Sequence, residues 1–216
     1  MAGHTDDVEA FLARLVRLDA RALVRVQSER DRTVVWGSVP WNVLVSRTIA
    51  GFSGVAADAT DQVVRAGDWL AAGAALTDLP PLTRFDAGWR LPLPPAQRVL
   101  IEEVPATTLH DLGAAAAETL RAAEAGGVGG RAVGARAVRD ALLDHVAIVV
   151  SAETRRVEIP QRLIQAVVRM GFVAAGDMPV RVLSAGSWIG LAANYGSAWW
   201  RPSGQLTVAP IRHRIA

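Results

Sequence analysis

An α+β fold, with small antiparallel sheets in both halves and helices packed against them, is what this 216-residue sequence predicts. Two observations lead there. Strand-like segments come in runs and do not alternate strictly with helical ones, which argues against a doubly wound parallel sheet. A proline-rich stretch then divides the chain into two parts, each holding both helical and strand patterns.

The first helix is expected from Asp6 to Leu18. Asp6 and Glu9 stand at capping-box spacing, and Phe11, Leu12, Leu15 and Val16 form one apolar stripe. Leu23 to Ser28 alternates, with Val24 and Val26 opposite Arg25 and Gln27. A polar turn, Glu29 to Arg32, leads to a second strand over Thr33 to Gly37. After Pro40 a third strand runs from Trp41 to Ile49, completing an antiparallel meander. A second helix is expected from Ala57 to Ala74, with Asp61 and Arg65 at i,i+4 on its polar side.

Five prolines fall between Leu79 and Pro95. Proline fixes φ and removes a donor, so this stretch reads as a connection. The chain then divides into an N-terminal α+β lobe (1–79), a Pro-rich connection (80–95) and a C-terminal α+β lobe (96–216). The alternative is one single domain.

The second half opens with a strand near Arg98 to Val104, an alanine-rich helix from Thr108 to Ala125, and a glycine cluster at 126–130. A helix from Ala132 to Asp144 and strands at Val146–Ala152 and Arg156–Ile159 follow. Pro160 suits the start of a helix over Gln161–Met170, which Gly171 would end. Its stripe is Leu163, Ile164, Val167 and Val168, leaving Arg162, Gln165 and Arg169 toward water. The remainder reads as strands: Val180–Ser184, Trp188–Ala193, Ala198–Arg201 and Leu206–Ile211.

Composition excludes more than it identifies. All 23 basic residues are arginine, and there is no cysteine. No lysine means no Walker A loop, no Schiff-base lysine and no Tyr-x-x-x-Lys relay. No cysteine means no thiol nucleophile, disulfide or thiolate metal site. The high pI of 10.2 follows from having almost nothing that titrates between histidine and arginine. Formal charge is only +2, with 21 acids interspersed among the arginines, so the pI does not indicate nucleic-acid binding. Arginine at every basic position, with abundant Ala, Gly and Val, points to a high-GC bacterial genome.

Hydrophobic residues make up 51% of the chain, much of that alanine. The longest branched apolar run, Val146–Val150, is far short of the roughly 20 residues of a membrane span. The start, Met1-Ala-Gly-His-Thr-Asp-Asp7, lacks the basic and apolar regions of a signal peptide, so a cytoplasmic location without membrane association is expected.

Few constellations carry chemistry. Gly127 and Gly129 resemble part of a dinucleotide fingerprint, but a helix precedes them where a strand is required. His4 and His213 are near the ends. His145 ends a helix beside Asp144, and His110-Asp111 opens one; no His-x-x-x-His spacing exists. Glu102 and Glu103 are adjacent in a strand and point to opposite faces. Ser184 or Ser187 with His145 would be needed for a hydrolase, yet Ala185-Gly-Ser-Trp-Ile-Gly190 is not a nucleophile elbow. No catalytic residue, metal site or cofactor is assigned.

Seven tryptophans are the remaining signal. Trp199 and Trp200 must face opposite sides of a strand, so one is expected to leave the core and serve as an anchor or stacking platform. The candidate ligand- or partner-binding residues are Trp36, Trp41, Arg47, Trp188, Tyr195, Trp199 and Arg201.

The segments Val39–Thr48, Ile159–Ile164 and Gly190–Trp199 resemble an uncharacterised conserved protein family of actinobacteria. That resemblance implies no activity and transfers no site residue.

The leading expectation is a non-catalytic protein that self-associates, as a homo-oligomer, or binds a protein partner through an apolar Trp-bearing surface. The alternative is a binder of a small, anionic molecule, or an enzyme independent of lysine and cysteine, with Arg47 and Arg201 as anion contacts. Nucleic-acid binding through the arginines, including the Ile211-Arg-His-Arg214 tail, ranks last.

Overall fold

The computed structural model describes residues 5–29, 32–50, 61–73, 81–126, 135–152, 155–176 and 178–202. Helix α1 spans Thr5–Leu18 and is followed by strands β1 (Leu23–Glu29), β2 (Arg32–Val39), β3 (Val43–Ala50) and β4 (Asp61–Arg65), then by the short helix α2 (Ala66–Ala71). The second half holds β5 (Val99–Pro105), α3 (Ala106–Gly126), α4 (Ala135–Asp144), β6 (Val146–Ala152), β7 (Arg155–Pro160), α5 (Gln161–Arg169), β8 (Pro179–Ala185), β9 (Trp188–Ala193) and β10 (Gly196–Trp200).

The fold is α+β, and all of its strand pairs are antiparallel among the described residues. Strands from both halves join into one eight-stranded sheet of order β4-β1-β2-β3-β10-β9-β8-β5, and β6 and β7 form a separate hairpin. The halves meet where β3 pairs with β10, with Leu44 opposite Trp199, Val45 opposite Ala198 and Ser46 opposite Ser197.

Period-two alternation gives the sheet two apolar faces. Val24, Val26, Val35, Val45, Val182 and Leu191 point to one side. There they pack with Phe11, Leu12 and Leu15 of α1 and with Leu163, Ile164 and Val167 of α5. On the other side Trp36, Leu44, Leu183, Ala185, Trp188 and Trp199 form a second, smaller core. Trp89 and Leu93, from the Pro-rich segment, pack over it. This segment is therefore more than a spacer, because it shields the outer face of the sheet.

Helix α5 begins after Pro160 in extended conformation (φ −76°, ψ 153°). It ends in a paired-carbonyl cap: the Gly171 amide donates to Val168 O (2.9 Å) and the Phe172 amide to Val167 O (2.9 Å). Gly171 adopts φ +63°, which suits a residue without Cβ. Phe172 then stacks on Phe11, with ring centroids 6.1 Å apart.

Three expectations are corrected. Residues 61–65 are a strand, not part of a helix, and Asp61 is bound by Arg25 of β1, not by Arg65. Alanine content and the i,i+4 charges mimic a helix, but Val63 and Val64 are buried by cross-strand pairing. Strand β3 starts at Val43 because Asn42 takes φ +58° in the turn after Pro40. Gln165 does not face water: α3 covers that side of α5, and Gln165 and Gln161 donate to Gly113 O (3.1 Å) and Leu112 O (3.0 Å). Arg162 is likewise drawn in, donating to Trp41 O at 2.8 Å and to Asp144. The expected strand at Leu206–Ile211, the basic tail, His4, His213, residues 127–130 and the first part of the 57–74 helix lie outside the described residues.

Candidate functional site

The seven candidate residues do not converge on one place. Trp36, Trp188 and Trp199 are buried in the outer-face core. Trp199 is fully covered, with Arg98 lying over its ring at 4.7 Å. Trp200, on the opposite side of β10, packs against the helix-side core under Arg162 at 5.8 Å. The two adjacent rings do take opposite faces, but neither is left standing free, because both faces of the sheet are covered. Arg201 lies over Trp188 at 5.5 Å.

Trp41 sits on the helix side, with Arg169 over its ring at 5.3 Å. It lines a cavity of about 390 Å³ with Arg17, Leu142 and Gln161. Arg47 and Tyr195 form a third place. Arg47 Nη1 donates to Tyr195 O at 2.7 Å, and its guanidinium lies 5.7 Å from the tyrosine ring, so this buried arginine fixes the turn between β9 and β10. His145 is exposed at the end of α4, Ser184 is buried in β8, and among the described residues neither serine candidate hydrogen-bonds it.

The two ends of the sheet differ more than any pocket does. At β4 the chain seals its own edge. The Phe85 amide donates to Val63 O (2.7 Å), Asp86 Oδ1 accepts from the Val63 amide (2.8 Å), and Arg84 Nη2 donates to Asp61 O (3.2 Å). Beside this cap, Arg25 grips Asp61 with two nitrogens at 2.8 and 2.6 Å, and Gln27 adds a third contact at 3.1 Å. The hydrogen bond from Arg25 holds the Asp61 carboxyl below its ordinary pKa, against the opposing pull of burial, and raises that of Arg25 in return.

At the other end, β5 pairs with β8 and hydrogen-bonds no second strand among the described residues, although β6 passes close to it. Val99 and Leu100 are about half exposed there, at 49% and 53%, which is unusual for branched apolar side chains in a sheet.

 
 Such an edge exposes a row of unpaired main-chain donors and acceptors. A register shift between Leu100 and Glu102 bends the strand at this point. Val146 and Val149 of the β6–β7 hairpin are exposed as well. The edge residues were not among the sequence candidates, because an edge strand and an interior strand carry the same alternation.

A family model described as a domain of unknown function (DUF8185) matches residues 93–205, more than half of the chain. The chain belongs to that family. A second model, also described as a domain of unknown function (DUF8010), matches residues 1–91. No match was found among curated proteins.

Solved structures of bacterial clamps share the fold. The DNA polymerase III beta subunit from Thermotoga maritima is 12% identical with a TM-score of 0.55, covering 92% of this chain and 62% of that one. The DNA polymerase sliding clamp from Bacillus subtilis is 12% identical with a TM-score of 0.54, covering 92% and 63%. The sliding clamp from Caulobacter crescentus is 11% identical with a TM-score of 0.52, covering 94% and 65%. This chain thus spans less than two thirds of the clamps' length, and at such identity the likeness is one of fold alone. Among the described residues no helix is long and apolar enough to cross a membrane.

Proposed function

We propose that this chain is a non-catalytic assembly protein that self-associates by pairing the free edge of β5 with the same edge of a second copy. The observation that carries this reading is the asymmetry of the sheet. One edge is closed by Phe85 and Asp86, and the other hydrogen-bonds no strand among the described residues and is flanked by exposed Val99 and Leu100. Main-chain pairing at an open edge supplies affinity, and the flanking apolar side chains add burial. With one edge of the eight-stranded sheet capped, pairing through the other is isologous and stops at two copies, whereas two open edges of that sheet would propagate into a filament.

The clamps that share the fold are described as DNA polymerase sliding clamps, or as a subunit of DNA polymerase III, which are parts of an assembly. That supports an assembly role over a catalytic one. A contact with a DNA polymerase or with DNA belongs to those proteins and is not carried over.

The test is light scattering coupled to size exclusion on the full chain from about 1 to about 100 µM, the range in which modest homodimers form. The mass is expected to rise to that of two copies. Leu100→Asp, which places like charges across the two-fold axis, is expected to remain at one copy. A single-copy mass throughout, for the unsubstituted chain, would overturn the proposal.

A further inference from the structure

A different part of the outer face collects cationic and hydroxyl groups around an open cavity of about 480 Å³. Its described lining includes Arg32, Arg47, Arg98 and Arg181 together with Ser46 and Ser197, and no aspartate or glutamate. The arginines come from β2, β3, β8 and the residue preceding β5, so tertiary structure alone brings them together.

The floor holds one more hydroxyl hydrogen than it has described protein acceptors. Trp199 Nε1 donates to Ser197 Oγ at 2.8 Å, and Ser197 Oγ lies 2.8 Å from Ser46 Oγ. These three groups own three polar hydrogens and share two hydrogen bonds. Whichever serine donates to the other, one hydroxyl hydrogen is left over. Both serines are more than nine-tenths buried, at 6% and 8% exposure, and both face the cavity. The remaining hydrogen is available to an acceptor in the cavity, a water or the oxygen of an anion.

Charge points the same way. Arg98 lies over the Trp199 ring, and burial of its guanidinium, with the nearby charge of Arg32, pushes its pKa below the ordinary arginine value. A negative group beside Arg98 and Arg181 would favour their charged forms. Arg47 is committed to the β9–β10 turn through Tyr195 O and forms the rigid wall. Guanidinium forks match the paired oxygens of phosphate groups, and the volume suits a ligand of several phosphates.

We propose that this cavity is a binding site for a small, multiply charged oxyanion of the polyphosphate class, with Arg98 and Arg181 as its charged contacts and the Ser46–Ser197 pair as a neutral donor. The proposal is independent of the β5 edge. A track for a nucleic-acid strand is disfavoured, because the arginines close around one cavity and acids are interspersed along the rest of the chain.

The test is titration calorimetry of the full chain with inorganic tripolyphosphate and with ATP, without magnesium, in low salt. Binding with Kd on the order of 10–100 µM is expected, weakening as sodium chloride is raised. Arg98→Gln and Arg181→Gln are each expected to weaken it about tenfold, and Ser46→Ala a few-fold. Arg136→Gln, an exposed residue on α4, is expected to leave it unchanged. Equal affinities for the two probes would assign recognition to the phosphate chain, and tighter ATP binding would add the nucleoside; both support the site.

Circular dichroism establishes that each variant is folded; if Arg98→Gln is not, the exposed Arg181 variant decides the matter. Absence of binding, or equal weakening by Arg136→Gln, would overturn the proposal. So would binding of a single-stranded oligonucleotide through Arg98 and Arg181 with no binding of either small probe.

Discussion

Asp86 Oδ1 accepts the main-chain hydrogen of Val63 at 2.8 Å, and the amide of the preceding residue, Phe85, donates to the carbonyl of the same valine. One residue of β4 is thus satisfied on its outward side by two consecutive residues of the Pro-rich segment. Asp86→Ala removes an acceptor and the partner of Arg84, so stability is expected to fall by about 1 kcal/mol in urea titration. Exposing this second edge is also expected to turn limited association into open-ended association, seen as a continuous rise in light scattering. Unchanged scattering would mean that the cap is not what limits assembly.

Trp36 and Trp199 share one core but differ at the indole nitrogen. Trp199 Nε1 is bonded to Ser197, whereas Trp36 Nε1 is buried with no hydrogen-bond partner. Replacement by phenylalanine creates a similar void at both positions. At Trp36 it also removes an unsatisfied donor, while at Trp199 it removes a bond. Trp199→Phe is expected to destabilise by about 1–2 kcal/mol more than Trp36→Phe, measured by chemical denaturation.

The Arg25–Asp61 pair predicts a pH dependence. The folded-state pKa of Asp61 is lowered relative to the unfolded chain, so its contribution is present above the unfolded value and is lost as pH falls through the folded one. Both side chains are partly exposed, which screens the pair, so Asp61→Asn is expected to cost only about 0.5–1 kcal/mol at pH 7. The gap between the two proteins should narrow as pH is lowered from about 5 to about 2. A gap that stays constant over that range would show that the charge of Asp61 contributes nothing.

Glycine substitutions should separate rigid from yielding neighbours. A Cβ on Gly190 would lie 2.6 Å from two atoms of the fully buried Trp199 ring, whereas one on Gly37 would meet the tip of Leu15 at 2.6 Å. A fully buried indole packed in the outer-face core has little room to move, and a leucine tip can turn. Gly190→Ala is expected to cost about 2–3 kcal/mol and Gly37→Ala about 1 kcal/mol, by thermal or urea unfolding.

Much of the fold is legible in the sequence wherever one face of an element is buried. Phe11, Leu12 and Leu15 mark α1, the valines of 23–49 mark the meander, and Pro160 with Gly171 brackets α5 closely. The failures have physical causes. Alanine packs in strands as well as in helices, so an alanine-rich context conceals β4, and the true partner of Asp61 lies 36 residues away in sequence. Gln161 and Gln165 look solvent-facing because their acceptors are main-chain carbonyls of another helix, which have no sequence signature.

The candidate site was less legible still. Trp36, Trp188 and Trp199 are identifiable as a group, but an aromatic residue looks the same whether it forms a core or an exposed platform. Arg47 and Tyr195 were singled out and do meet, through a main-chain carbonyl and a ring face. Arg98, Arg181 and the two serines belong to four separate strands or their flanks, and only the order of the sheet sets them around one cavity.

The seam between β3 and β10 also governs when the molecule can be finished. Ser46 and Ser197, which meet across it, are separated by 151 positions in the chain. At about 5–20 residues per second, a ribosome needs roughly 8 to 30 seconds to make the second after the first. For that interval the N-terminal strands are a half-built sheet whose inner border has no neighbour. Of the described strands β10 is the last to be synthesised and the one that closes it, so arrest of translation before β10 would release a protein with an unprotected edge in its middle.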